Sequence, residues 1–246
     1  MTPPAPPDLT ALRAAMRSAE EARIQRIELD GTTYWVKHPE TLSMRWRIQK
    51  GDPALALERE RNAYHALAGR GLPVADCVDE GPDYLVVRDA GTPLSQVLAG
   101  DAPREERDRA LSAGAEALHS LHDADVAHGR PSLRDMMWDG TRIAFIDFER
   151  FGATRELRRA KAMDLLLFAH SCFDVAGGPR PEIDHAFAAY RSRDRDGVWG
   201  DAARMLRRYR WLDPLVSRLP KLRDSHDVKA GQLVFRTFLS PDSAAP

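Results

Sequence analysis

The residues best suited to chemistry lie in one stretch, HGRPSLRDMMWDGTRIAFIDFER, which runs from His128 to Arg150. Asp147 follows an apolar run that is typical of a buried strand, and a carboxylate there is costly unless it is paired or bound to a metal. Asp135 lies before the turn that leads into this run, where it either binds a metal, caps the turn or pairs with Arg134. The position of Asp147 after this apolar run therefore predicts that it is functional. For Asp135 the three alternatives stay open.

Other charged residues become candidates only through their order along the chain. Lys37 ends the alternating segment YWVK, and Glu58 and Glu60 lie in the charged run ERERNAYHAL that follows. Taken singly, such residues are usually solvated. The histidines His119, His122 and His128 show no spacing typical of a zinc site, so we predict that they brace the core or a loop.

The elements that must position these residues can be read from periodicity. Asp8 or Thr10 is suited to cap a helix that continues to about Ala22. The segment RIQRIELDGTTYWVK alternates on both sides of an Asp-Gly turn and predicts a hairpin that ends at Lys37.

Further along the chain, helical spacing predicts a helix that stops near Gly69 and a long helix over residues 104–124. The segment RIAFIDFERF predicts a buried strand, and AKAMDLLLFAHSCF a buried helix within a helical remainder. We predict an α+β protein with an N-terminal extension (1–22), a small strand-rich lobe (23–90) and a helical lobe (91–246).

Composition excludes several classes of function. Lys and Arg number 36 against 37 Asp and Glu, so no charge excess favours nucleic acid or an anionic membrane. Two cysteines are too few for a disulfide framework, and no apolar run reaches the roughly 20 residues of a spanning helix. We expect a cytoplasmic protein without a transmembrane segment.

The order of these parts, a hairpin ending in Lys, a helix carrying Glu, a long helix, an HG loop and a buried IDFE strand, resembles the protein-kinase-like superfamily. The resemblance is closest to the bacterial lipopolysaccharide kinase (InaA-like) group and spans roughly residues 24–175. It implies a bilobal fold with a small strand-rich N-lobe and a helical C-lobe. ATP and Mg²⁺ are the cofactors that it implies.

The resemblance assigns roles to individual residues. It implies that Lys37 binds nucleotide phosphates and that Glu60, with Glu58 as the fallback, orients that lysine. It implies Mg²⁺ binding by Asp147, which is followed by Phe148 and by Glu149 in place of a glycine, and by Asp135. Asp164 corresponds to the helix aspartate that braces the catalytic loop.

Three departures mark this sequence. Arg130 occupies the position of the catalytic aspartate, and a guanidinium cannot accept a proton. The only glycine before Lys37 is Gly31 in the hairpin turn, so a glycine-rich phosphate loop is absent. The short span from Asp147 to Asp164 leaves little room for a regulated activation segment and favours a small-molecule or lipid-type kinase lineage.

The resemblance predicts an atypical phosphotransferase that acts on an unidentified hydroxyl acceptor. In that case Arg130 stabilises phosphate charge, and either Asp135 or the substrate handles the proton. The alternative is a pseudokinase, a nucleotide-binding or regulatory module that acts through a partner and in which Arg130 locks the loop. A third, weaker possibility is nucleotidyl transfer.

Overall fold

A computed structural model describes residues 6–18, 22–39, 52–152, 156–209 and 225–240. The chain divides into two compact units. The first contains the chain up to Ala90 together with Asp147–Phe151, and the second contains Gly91–Ile146 and the chain from Gly152 onward. The predicted α+β class is confirmed, with an antiparallel sheet in the N-terminal region and mostly helices after it.

The first unit is built on a four-stranded antiparallel sheet in the order β1-β2-β4-β3. Its strands are β1 (Ile24–Leu29), β2 (Thr32–Lys37), β3 (Cys77–Gly81) and β4 (Tyr84–Arg88). Its helices within the described residues are α1 (Leu9–Ser18) and α2 (Pro53–Leu67). The hairpin pairs Ile24 with Lys37, and its turn residues Asp30 and Gly31 both have positive φ. This geometry is that of a type I′ turn, which the Asp-Gly sequence favours.

Helix α1 packs on this sheet. Its Leu12 is fully buried in a cluster with four sheet residues: Ile27, Tyr34, Val36 and Val86. The Asp8 carboxylate accepts hydrogen bonds from the amides of Thr10 and Ala11, so Asp8 is the cap. Helix α1 ends at Ser18, and the residues immediately beyond it, which the sequence placed in the same helix, lie outside the described residues.

The second unit contains a three-stranded sheet, β5-β6-β7, and six helices among the residues that the structure describes. The strands are β5 (Thr92–Pro93), β6 (Met136–Trp138) and β7 (Ile143–Phe145). The helices are α3 (Leu94–Ala99), α4 (Arg104–Asp123), α5 (Leu157–Ala176), α6 (Pro181–Arg191), α7 (Val198–Tyr209) and α8 (His226–Leu239). Helix α5 is the predicted core helix, since the side chains of Leu165, Phe168 and Cys172 are inaccessible to solvent.

Two local features differ from the prediction. The strand predicted over RIAFIDFERF is only three residues long, because Asp147 adopts a left-handed conformation with φ of 66° and ends the extended backbone. Strands β3, β5 and β6 were not predicted. Strand β6 has all three side chains buried and therefore shows no alternation. No helix in the described ranges is long and apolar enough to span a bilayer.

Candidate functional site

Three of the predicted residues meet in the first unit. The ammonium of Lys37 donates hydrogen bonds to Glu60 Oε2 at 2.5 Å and to Asp147 Oδ1 at 2.6 Å. The Glu60 side chain is almost fully buried, whereas those of Lys37 and Asp147 are 20% and 25% exposed. One cation is therefore held between a buried carboxylate and a partly accessible one.

Local structure explains how Lys37 and Glu60 reach each other. Lys37 is the last residue of β2, so its side chain projects from the end of the strand. Helix α2 begins with Pro53 at its first position, and the Asp52 carboxylate caps it by accepting a hydrogen bond from the amide of Ala54. Glu60 lies on the buried side of α2, whereas Glu58 is exposed, so the lysine pairs with Glu60 rather than with the fallback residue.

Asp147 reaches the cluster through the turn that follows β7. Its left-handed backbone is followed by Phe148, which is fully buried. The Phe148 ring packs edge to face against Tyr64 of α2, with 5.9 Å between the ring centroids. Phe148 thus anchors the turn in the first unit next to the helix that carries Glu60.

The proximity of the three charges changes their protonation. Burial acts to lower the pKa of Lys37, but attraction and hydrogen bonds from Glu60 and Asp147 outweigh it and raise that pKa. Burial raises the pKa of Glu60 to about 7, against the opposing attraction of Lys37, and repulsion from Asp147 and Glu149 adds to the rise. Lys37 is therefore charged at neutral pH, while Glu60 titrates near neutrality.

The loop after α4 belongs to the second unit and is held from within that unit. The Asp164 carboxylate accepts hydrogen bonds from the amides of His128 at 2.6 Å and Gly129 at 2.9 Å. The His128 ring also makes a hydrogen bond to the carbonyl oxygen of Ile146 at 2.9 Å. Asp164 thus braces the loop, as the resemblance implied, and His128 braces it as the sequence predicted.

The remaining predicted residues, Arg130 and Asp135, lie in this loop. Asp135 is buried, and its Oδ2 accepts hydrogen bonds from the Ser132 hydroxyl at 2.7 Å and the Ser132 amide at 3.3 Å. Arg130 is exposed. The structure thus brings together Lys37, Glu60 and Asp147 in the first unit and places the other two in the second.

Sequence reasoning missed Trp35. Residues two apart in a strand share a face, so Trp35 lies on the same face of the sheet as Lys37. The Trp35 side chain is partly exposed, and its indole N–H donates to Asp89 Oδ1 at 2.6 Å, which fixes the ring. The alternation in YWVK already indicates that Trp35 and Lys37 share a face. A large aromatic residue beside a lysine of a candidate site is suited to contact a ligand.

The candidate residues include some of the oxygen donors that a hard cation such as Mg²⁺ needs. Asp147 and Asp135 offer the carboxylate oxygens that Mg²⁺ prefers. Within the described parts of the chain, however, no group of three or more His, Cys, Asp or Glu side chains is arranged to hold a metal. Magnesium remains a prediction that rests on the resemblance and on the donor type.

Comparison with known proteins leaves the family open. No protein-family model matches the sequence. An uncharacterized protein of Haemophilus influenzae is 25% identical over 193 residues, which cover 78% of this chain and 80% of that protein. The chain is therefore similar to a protein of nearly the same extent whose description names no activity.

Proposed function

We propose that this chain is an atypical ATP- and magnesium-dependent phosphotransferase with a protein-kinase-like bilobal fold, acting on a hydroxyl acceptor. The observation that carries the proposal is the Lys37 ammonium within 2.6 Å of both Glu60 and Asp147. These residues come from a strand, a helix and a turn that are far apart in sequence. This arrangement holds the ammonium in one direction, which supports a role in positioning phosphate.

Each member of the cluster has a role in this proposal. Lys37 binds phosphate oxygens of the nucleotide, and Glu60 fixes the direction of the lysine side chain. Asp147, with Asp135 as the second ligand that the resemblance implies, holds the magnesium ion. When bound, that ion neutralises charge on the phosphate oxygens, which is the main requirement of phosphoryl transfer.

Trp35 supplies a flat surface on the same face of the sheet as Lys37. Stacking of a nucleobase on an aromatic ring contributes roughly 1–3 kcal/mol and tolerates any base. The hydrogen bond from the indole to Asp89 keeps the ring in one orientation. We therefore propose Trp35 as the contact for the base and Lys37 as the contact for the phosphates.

Arg130 supports a second candidate function, that of a pseudokinase. At the position where the resemblance implies a catalytic base, it offers only donors. In the transferase, Arg130 contacts phosphate, and either Asp135 or the substrate itself handles the proton of the acceptor hydroxyl. Loss of general base catalysis costs about 10²- to 10⁴-fold, which a loose transition state tolerates. In the pseudokinase, nucleotide binds without turnover.

The first prediction concerns nucleotide binding. ATP with Mg²⁺ should raise the melting temperature of the full chain, since a ligand that binds only the native state at 100 times its Kd adds about 2.7 kcal/mol. Asp147→Asn should remove the magnesium-dependent part of the rise, because it deletes the charge at nearly constant size. Thermal-shift measurements with ATP, with and without Mg²⁺, test both statements.

Asp30→Asn is the matched control. Asp30 is exposed and has a left-handed backbone like that of Asp147, so both variants make the same chemical change in the same conformation. The control should behave like the wild type. No rise in melting temperature at millimolar ATP would refute nucleotide binding, and ATP hydrolysis measured on the same samples separates the transferase from the pseudokinase.

A further inference from the structure

A groove in the second unit carries a concentration of arginines. It lies between the first turn of α5 and helix α7 and has a volume of about 450 Å³. Its lining includes six charged residues: Glu156, Arg158, Arg159, Asp201, Arg204 and Arg208. Four cations against two carboxylates give this groove a formal charge of +2, whereas the whole chain carries −1.

The arginines fall into two pairs. Arg158 donates two hydrogen bonds to Asp201 Oδ2, at 2.9 and 2.7 Å, and Arg204 bonds to Oδ1 of the same carboxylate. Asp201 therefore holds two guanidinium groups in fixed directions. Among the described residues, no ion pair is formed by Arg159 or Arg208, so neither of these guanidinium groups is held by a described carboxylate.

The placement of these arginines is unfavourable for the helices themselves. Arg158 and Arg159 lie in the first turn of α5. No acidic residue lies in that turn, and the side chain of the N-cap residue Glu156 makes no capping hydrogen bond. Cations at this end of a helix oppose the helix dipole. Arg204 and Arg208 are four residues apart on α7, where like charges repel by a few tenths of a kcal/mol. A bound anion would relieve both costs.

We propose that this groove binds a small ligand bearing at least two phosphate or carboxylate groups. The planar fork of arginine bonds such groups through two parallel hydrogen bonds. Arg159 and Arg208 provide the charge, while Asp201 positions Arg158 and Arg204. The proposal does not rest on nucleotide binding, because every lining residue belongs to the second unit and the Lys37 cluster belongs to the first.

Inorganic pyrophosphate is the soluble probe. Its Kd should be measured by calorimetry in about 150 mM salt, where weak surface attraction is screened. A Lys37→Met background removes the proposed phosphate contact of the first unit. Arg159→Gln/Arg208→Gln should weaken binding by at least about tenfold, because the double variant removes the charge-assisted hydrogen bonds of both guanidinium groups. The control Arg104→Gln/Arg109→Gln makes the same charge change at exposed sites on α4 and should bind like the parent.

Asp201→Asn distinguishes a built site, in which Asp201 positions two arginines, from a surface that is merely basic. The substitution makes the groove more positive, so a merely basic surface would bind pyrophosphate more tightly. A built site loses the group that positions Arg158 and Arg204 and binds more weakly. Tighter binding by Asp201→Asn, or equal losses in the two double variants, overturns the proposal.

A second arm identifies the source of the anionic groups. Sedimentation with phosphatidylcholine vesicles, with and without phosphatidylinositol bisphosphate, tests a lipid headgroup that carries two phosphate groups as the ligand. Binding that requires phosphatidylinositol bisphosphate and is lost in Arg159→Gln/Arg208→Gln supports a headgroup site. Binding of soluble pyrophosphate alone supports a free phosphorylated ligand. If neither probe binds in an arginine-dependent way, the proposal fails.

Discussion

Lys37 is shared by two carboxylates that differ in exposure, and this difference gives the cluster two separate properties. The Glu60 side chain is nearly inaccessible to solvent, so its ionised form loses solvation energy. Attraction to Lys37 offsets only part of that loss. Asp147 is a quarter exposed and keeps access to a ligand. We infer that Glu60 is the carboxylate whose protonation state changes with pH, and that Asp147 is the carboxylate that contacts a ligand.

The second prediction is a pH dependence that belongs to Glu60. The pKa of Glu60 is raised from an ordinary value of 4.5 to about 7 in the folded protein, so unfolding releases a proton between these values. The free energy of unfolding should therefore fall as the pH rises through this window, by at most about 1.4 kcal/mol per pH unit. Glu60→Gln cannot titrate and should lack this component in denaturant unfolding measured across the window.

Glu58→Gln serves as the comparison, because Glu58 lies on the same helix but is exposed. It should keep the pH profile of the wild type. Parallel profiles for wild type and Glu60→Gln would contradict the raised pKa and would mean that Glu60 remains ionised throughout the window.

The third prediction uses Arg130 to separate the two candidate functions. If Arg130 contacts phosphate, Arg130→Lys should weaken ATP binding or turnover, and Arg130→Ala should weaken it more, roughly tenfold. If Arg130 instead locks a carboxylate of the loop, its removal frees that carboxylate and Mg-ATP should bind more tightly. ATP affinity measured with and without Mg²⁺ distinguishes the two functions, because the affinity of the variants falls in the first case and rises in the second.

Arg134, another exposed arginine of the same loop, is the control for this series. Arg134→Lys and Arg134→Ala should leave ATP affinity unchanged in either case. A tighter Mg-ATP complex in Arg130→Ala rules out the phosphate contact, and a weaker one rules out the lock.

Among the elements, α1 is attached to the sheet of the first unit by side-chain hydrogen bonds. Arg13 of α1 donates two hydrogen bonds to Asp79 of β3, at 2.8 and 2.7 Å, and Tyr84 donates to the same carboxylate. The hydrogen bonds from Arg13 lower the pKa of Asp79 against the effect of burial. Helix α1 is thus fixed to the sheet by a polar contact as well as by the burial of Leu12.

The fourth prediction measures that attachment. Leu12→Ala should lower the free energy of unfolding by about 3 kcal/mol, because it leaves a cavity in the core behind the face that carries Lys37. Leu9→Ala, on the same helix but with 39% of the side chain exposed, should have a much smaller effect. Equal losses in chemical denaturation would contradict the claim that packing of Leu12 on the sheet determines the cost, because Leu→Ala does not lower helix propensity at either position.

At the scale of the whole molecule, the segment Asp147–Phe151 groups with the first unit although its chain neighbours belong to the second. Asp147 meets Lys37 across 110 positions of sequence. The first unit is therefore complete only when this later segment has joined it. Contacts so distant in sequence cost loop-closure entropy, which is recovered only by packing such as that of Phe148 on Tyr64.

The sequence by itself determined the elements whose signals are local. Alternation and the Asp-Gly turn fixed the hairpin that ends at Lys37, and helical spacing fixed α2 and α4 to within a few residues. These patterns follow from which face of each element is buried, and that information is present in a short window. The charged residues of the candidate site were predicted from a different signal, which is their order along the chain.

Only the tertiary structure decided which carboxylate Lys37 selects and what ends the strand before Asp147. The sequence ranked Glu60 before Glu58 but left both open, and the packing of α2 decides between them because it buries Glu60 and exposes Glu58. The left-handed backbone of Asp147 and the role of Trp35 also depend on neighbours that are distant in the chain. Electrostatic energy depends on distance and solvent access, which exist only once the chain has folded.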